Sequence, residues 1–298
     1  MCCLFGYHSY GNKLSRKQQS VLLSALSVSA EARGTDAAGI AYNGDGKMRI
    51  YKRPLPAHLM WWRVPRESTA VMGHTRMSTQ GTERRNFNNH PFSGQTDGGP
   101  FALAHNGVLY NDKNLRKKLK LPATPVETDS YIAVQLIERY GELSFDSLRF
   151  MAEQLEGSFT FTVLSHRDDL YFVVGNNPMC LYHFPDQGIY IYASTEQILQ
   201  SALRRLPFAL GKHVKIHLFS GDLLRIDAYG NLNCSTFDDA RLYPWFSGWS
   251  GYENTWEDSY IDDLKAVARN YGIYPEDVDA LLDDGISSEE IEELIYCG

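Results

Sequence analysis

Cys2 follows Met1 directly, and a thiol in that place can do chemistry that a thiol elsewhere cannot. An initiator methionine is usually removed when a small residue follows, which would leave Cys2 with a free α-amine. Such an amine titrates at about 7.7–8.0, near working pH, where a general base is most effective. One residue then supplies both nucleophile and base. On position alone, a buried cysteine at a chain start is the better reading, so the chemistry needs support from elsewhere. The first half of the chain offers Arg33, Asp36, His74, Arg76, Thr79, His90, His105, Asn106, Gly107 and Asp129. Taken singly, each has an ordinary explanation. Arg76 reads as a strand-end arginine, Asp129 as a charge at a helix N-terminus, and Asn106-Gly107 as a hairpin turn. The three histidines read as loop-ordering hydrogen bonders rather than bases. They lack metal spacing, and the five cysteines contain no C-x-x-C pair, so neither a metal site nor a disulfide framework is expected.

The elements that must position these groups are legible from periodicity. The opening CCLFGYHS is apolar, as a buried strand would be. Ser15 to Arg33 reads as a helix capped by Ser15, with Leu22, Leu23 and Leu26 on one face. AAGIAYN and KMRIYKR read as strands joined by a Gly-Asp-Gly turn, and TAVMGHTR as a third. A long polar loop is expected from Ser78 to Gly99, then a strand and turn in FALAHNGVLYN, then helices near 128–140 and 144–156. SFTFTVLSH, DLYFVVGNN, GIYIYAST, KIHLFS and DLLRIDA read as further strands, interrupted by a helix from Thr195 to Arg205. The pattern ends after Tyr229. Cys180 and Cys234 lie in strand-like stretches and read as buried small hydrophobes.

Composition bounds the rest. The chain has 298 residues, 43 % hydrophobic, enough for a large core in one domain plus a small one. No apolar run reaches the ~18 residues of a membrane helix, and the N-terminus does not read as a signal peptide. A cytoplasmic protein with reduced thiols is expected, with no membrane partner. The net charge of -7 is uneven. Residues 255–298 hold 13 Asp/Glu against 2 Lys/Arg, and no basic stripe marks a nucleic-acid partner. Residues 236–254 read as a linker rich in Trp, Tyr, Gly and Ser. The tail reads as three helices, near 257–271, 275–284 and 287–296. Leu264, Val267, Leu281, Leu282, Ile291 and Leu294 are expected to form its small internal core.

Five segments in order carry a resemblance. Arg33-Gly34-Thr35-Asp36-Ala37-Ala38-Gly39 resembles the R-G-x-D-x-A-G signature of class II, N-terminal-nucleophile glutamine amidotransferases. Gly73-His74-Thr75-Arg76, with Ser78-Thr79-Gln80-Gly81, resembles their G-H-T-R-x-x-T-x-G segment. Asn88 to Phe92 is similar to N-x-H-P, His105-Asn106-Gly107 with Asn111 to H-N-G-x-x-x-N, and Glu127-Thr128-Asp129 to the family's acidic helix start. Together with Cys2 these are specific where one alone would be weak. The resemblance spans about residues 2–230. It departs at Cys3-Leu4, where the family has Gly-Ile, and at Met77, where an aromatic residue is common. A side chain at position 3 could crowd the pocket or act as a second thiol. No S-G-G-x-D-S-like loop is present, and the 44-residue tail is too short for a fused synthase. The tail loosely resembles a three-helix module of the ubiquitin-associated sort.

What the resemblance implies follows. The fold would be the four-layer α-β-β-α sandwich over 1–235, then the linker at 236–254 and the acidic tail at 255–298. Cys2 would attack the side-chain amide of glutamine, with Asn106 and Gly107 holding the oxyanion. Arg76, whose planar fork suits a carboxylate, and Asp129 would bind the two ends of the amino acid. Arg33 and Asp36 would pair behind Cys2, with His74, Thr79, His90 and His105 in support. No cofactor is needed. Ammonia would pass to an acceptor, served by a separate synthase subunit. The alternatives are a hydrolase of a larger γ-glutamyl amide and an inactive scaffold. The tail is expected to be dispensable for chemistry and to favour a basic partner surface.

Overall fold

The computed structural model describes residues 2–65, 68–242 and 273–297, together with residues 261, 264, 265 and 268. Thirteen strands among them form two antiparallel sheets. The first sheet runs β11 (Val214–Ile216), β9 (Cys180–Phe184), β10 (Ile189–Ala193), β1 (Cys3–Ser9), β4 (Ala70–Arg76), β2 (Ala37–Gly44), β3 (Lys47–Arg53). The second runs β13 (Leu232–Thr236), β12 (Asp222–Ile226), β8 (Leu170–Val174), β7 (Gly157–Ser165), β6 (Gly99–Leu109), β5 (Phe92–Thr96).

Side-chain alternation builds the layers. Along β1, Cys3, Phe5 and Tyr7 face α1 (Arg16–Ser29) and α5 (Glu196–Arg204) in one core, while Leu4 faces the opposite sheet. Along β6, Phe101 and Leu103 face α3 (Tyr131–Tyr140) and α4 (Phe145–Gln154). Ala102 and Ala104 meet Leu4, Met72, Phe172 and Tyr192 between the sheets. Strands buried on both faces need apolar residues at nearly every position, which is why these segments read as continuous runs. The result is the expected α-β-β-α sandwich.

The differences are local. The helix after Ser15 is capped as expected, with Ser15 and Gln18 exchanging hydrogen bonds. It stops at Ser29, and Ala30–Arg33 tightens into a 3-10 turn. The loop from Ser78 contains β5, whose exposed Ser93 and Gln95 alternate with buried Phe92, Gly94 and Thr96. β13 and the polar helix α2 (Asp112–Lys118) are also additions to the expected elements. β13 is an edge strand, and Cys234 on it is exposed rather than buried. Phe237 and Leu242 join the core beneath α3 and α4, so the packed domain continues past residue 235.

Helices Pro275–Asp283 and Ser288–Cys297 of the tail stand where expected. Most of the expected 257–271 helix and of the 236–254 linker, and Val267, lie outside the described residues. Leu264, Ala268, Val278, Ile291 and Ile295 form the tail core, with Leu281 and Leu282 against it. Leu294, expected inside, is exposed, because it falls on the solvent side of its helix. The core is not internal to the tail: Met77 packs against it from the main domain.

Candidate active site

The neighbouring strand ends of β1 and β4 bring Cys2 to Arg76 and Met77. Cys3 pairs with Thr75 across these strands. The Cys2 thiol donates to the Met77 carbonyl at 3.5 Å. Burial pushes that thiol up, opposed by the terminal ammonium, a backbone hydrogen bond with Met77, and the charges of Arg76 and Arg33. Cys3 points the other way, into the core under α1. It is fully buried, with its thiol pushed up to about 11 by burial, so it neither crowds the site nor offers a second accessible thiol.

Arg76 is held from three sides. Its Nη1 donates to Asn89 Oδ1 at 2.7 Å, and Nη2 donates to the carbonyls of Gln80 and Gly81 at 2.7 and 2.8 Å. Three of the five N–H groups of a guanidinium are thus engaged. Burial lowers its affinity for the proton, while the charges of Cys2, Asp36, Glu83 and Asp129 favour the cation. Asp129 is buried just before α3, and its Oδ2 accepts from the Leu109 amide at 2.6 Å.

The Asn88-Asn89 pair clamps both charges in place. Asn89 holds Arg76 and donates to Glu83 O at 2.8 Å. Asn88 accepts from the Glu127 amide at 2.9 Å and donates to its carboxylate at 2.8 Å, two residues before Asp129. Lys52 donates to the carbonyls of Asn89 and Pro91. Its burial and the charge of Arg76 lower its pKa to about 8. Neither Lys52 nor the separate duties of the two asparagines can be read from sequence spacing. Lys52 lies on a different strand and reads as one more surface cation of an edge strand.

Asn106 lies on β6, facing the space between the sheets. It is 0 % exposed, and neither its Nδ2 nor its Oδ1 has a hydrogen-bond partner among the described residues. Gly107 follows with φ +136°, where a Cβ would stand 2.1 Å from Ser158 O and 2.6 Å from Asn177 Nδ2. Only glycine fits there. Asn177, which no expectation singled out, donates from Nδ2 to the Asn106 carbonyl at 3.2 Å.

The histidines are structural. His74 Nε2 donates to the His105 carbonyl at 3.0 Å, tying one sheet to the other. Burial lowers its pKa to about 3. His105 accepts at Nδ1 from the Ser130 hydroxyl at 2.8 Å and stacks on Phe161. His90 packs between His74 and Phe92 with ring centroids at 4.2 and 4.3 Å. Burial lowers the pKa of both His90 and His105, so all three rings favour the neutral form.

Two supporting expectations are corrected. Asp36 does not pair with Arg33, because its Oδ2 accepts from the Ser78 amide at 2.7 Å. Arg33 instead meets Glu292 of the tail, Nε to Oε1 at 3.0 Å. Thr79 is exposed and makes no hydrogen bond among the described residues. No group of three or more His, Cys, Asp or Glu that could hold a metal occurs among the described residues.

Two such sheets between helix layers, with a thiol at the head of a central strand, define the N-terminal-nucleophile class of amidotransferases. A family model described as a glutamine amidotransferase domain matches residues 61–214. The chain belongs to this glutamine amidotransferase family. It is similar to the glutamine–fructose-6-phosphate aminotransferase (isomerizing) of Leifsonia xyli subsp. xyli, at 27 % identity over all of this chain and 50 % of that one. The enzyme of the same name from Halalkalibacterium halodurans is 28 % identical over 83 % of this chain and 42 % of its own. The chain thus spans about half the length of these relatives. Among solved structures, the glutamine phosphoribosylpyrophosphate amidotransferase of B. subtilis superposes with a TM-score of 0.61. That match has 19 % identity, over 90 % of this chain and 58 % of that chain, and it bears on the fold. No helix among the described residues is long and apolar enough to cross a membrane.

Proposed function

We propose that the chain hydrolyses the side-chain amide of glutamine through a thioester on Cys2 and passes the ammonia to an acceptor. The carrying observation is Asn106, a fully buried amide whose side chain has no hydrogen-bond partner among the described residues, beside a glycine with positive φ. A buried amide left unpaired typically costs about 1–3 kcal/mol. Donating to an oxyanion that forms only during reaction gives it a purpose.

The steps follow from the residues. With Met1 removed, the Cys2 amine accepts the thiol proton, directly or through water. The thiolate adds to the amide carbon, and the oxygen takes up the negative charge beside Asn106 and Gly107. Collapse expels the amide nitrogen, which takes the proton and leaves as ammonia. Water then cleaves the γ-glutamyl thioester to glutamate and regenerates the thiol. Arg76 binds the α-carboxylate through its remaining N–H groups, and Asp129 the α-ammonium. The catalytic domain comprises about residues 1–242, its core reaching Phe237 and Leu242, and the acidic tail follows from about 255. An ammonia-accepting synthase domain or subunit is the natural receiver, since the named relatives are aminotransferases.

Glutamate release from glutamine tests this reading. Cys2→Ala should abolish it while Cys3→Ala, buried on the other face, keeps most of it. Equal loss in both folded variants contradicts the assignment. A higher kcat/KM on a larger γ-glutamyl amide than on glutamine would move the substrate to that class.

A further inference from the structure

Arg33 is 1 % exposed and among the largest fully buried side chains of the molecule. It ends the 3-10 turn that closes α1, and Gly34 after it lies hard against β4. A Cβ on Gly34 would meet the Arg76 carbonyl carbon at 2.5 Å and the Met77 nitrogen at 2.6 Å. The turn, the Arg76–Met77 peptide and Cys2 therefore form one packed unit.

The tail touches this unit twice. Glu292, 4 % exposed, sets its carboxylate against the Arg33 guanidinium at 3.0 Å. Met77, whose carbonyl accepts from the Cys2 thiol, packs its side chain on the tail core of Leu264, Val278 and Ile291. A buried cation and a buried anion meeting across two parts of a chain depend on one another, since either alone is costly to desolvate. An acidic run of this kind would ordinarily be a solvated face, yet Glu292 is drawn inside.

We propose that Glu292 is a positioning residue of the thiol site: seated on Arg33 and carried by a helix whose core holds Met77, it makes the acidic tail one wall of the active site. This rests on Cys2 being the nucleophile. The charged groups around that thiol are the terminal ammonium and the cations Arg33 and Arg76, with Asp36 beside Met77, Asp129 beyond Arg76, and Glu292 behind Arg33. Arg33 favours the Cys2 thiolate, and Glu292 opposes thiolate formation one residue along, at Cys3. The ion pair thus sets how far the Arg33 charge is felt at Cys2.

The test is alkylation of Cys2 by iodoacetamide as a function of pH, read by mass on the Cys2 peptide in full-length protein. In Glu292→Gln one negative charge beside Arg33 is removed, so the profile should move to lower pH, about threefold faster at a fixed pH below the midpoint. In Arg33→Gln it should move to higher pH. A loosened site would move both variants the same way, whereas the ion pair predicts opposite signs. If one variant fails to fold, the other carries the test by its own sign. A profile that superimposes on the wild type in a folded variant, or shifts of the same sign in both, overturns the proposal. The readout does not depend on glutamine turnover. Failure of the nucleophile assignment would appear separately, as turnover retained in Cys2→Ala.

Discussion

The proposed function makes Asn106 and Gly107, adjacent on β6, the oxyanion donors. Losing one oxyanion donor typically lowers kcat about 10²–10³-fold. Asn106→Ala is therefore expected to lower kcat for glutamine by that order with little change in KM. A rise in KM with kcat preserved would make Asn106 a ground-state binder instead. In the proposed function Arg76 serves recognition. Arg76→Ala should depress kcat/KM for glutamine far more than for an analogue lacking the α-carboxylate. Equal losses on both substrates would mean that Arg76 serves the loop of Gln80 and Gly81, which it already holds, rather than the substrate. The residues that carry the family resemblance were legible only together, because each alone has an ordinary explanation. Their supports were not. Lys52, Asn177 and Ser130 act through contacts 25 to 71 positions away in sequence; no short motif encodes them. Thr79 shows the converse, a motif position that the fold leaves in solvent.

At the scale of elements, the three neutral histidines join β4, β6 and the loop before β5, and their burial makes stability depend on pH. For His74 the folded value of about 3 lies below the ordinary 6.5. Between those values the unfolded chain binds more protons, so stability falls as pH drops from about 6.5 toward 3. The slope reaches roughly 1.4 kcal/mol per pH unit for each such histidine. Urea midpoints should decline steadily from pH 7 to pH 5, and His90→Phe, which removes one titrating ring, should flatten the decline. Equal midpoints at both pH values would show these rings to be hydrated. The elements were readable wherever burial is two-sided or periodic, as in β1, β7, β10 and α1. β5 and β13 were missed because exposed polar residues interrupt them, and α2 because its Lys-Asn-Leu-Arg-Lys-Lys run resembles a loop.

The whole molecule differs from its sequence in one respect that matters for function. Composition separates an acidic tail from a nearly neutral body, and charge alone argues for independence. The fold joins them through Arg33, Glu292 and Met77, a junction that composition cannot show, because one buried carboxylate is indistinguishable in sequence from its exposed neighbours. Truncation after Asn254 should therefore impair the site as well as any partnering. We expect kcat/KM for glutamine to fall about tenfold or more through misplacement of Met77 and Arg76, together with a lower Tm. Unchanged kinetics in a folded truncation would restore the tail to the status of an appendage.

The central claim is that one thiol, on an N-terminal residue, carries the reaction. Intact mass of the purified protein before and after incubation with a glutamine-like electrophile tests it most directly. The account predicts loss of Met1 and a single adduct, present in wild type and Cys3→Ala and absent in Cys2→Ala. Retained Met1 in active protein, or an adduct that persists in Cys2→Ala, would contradict it.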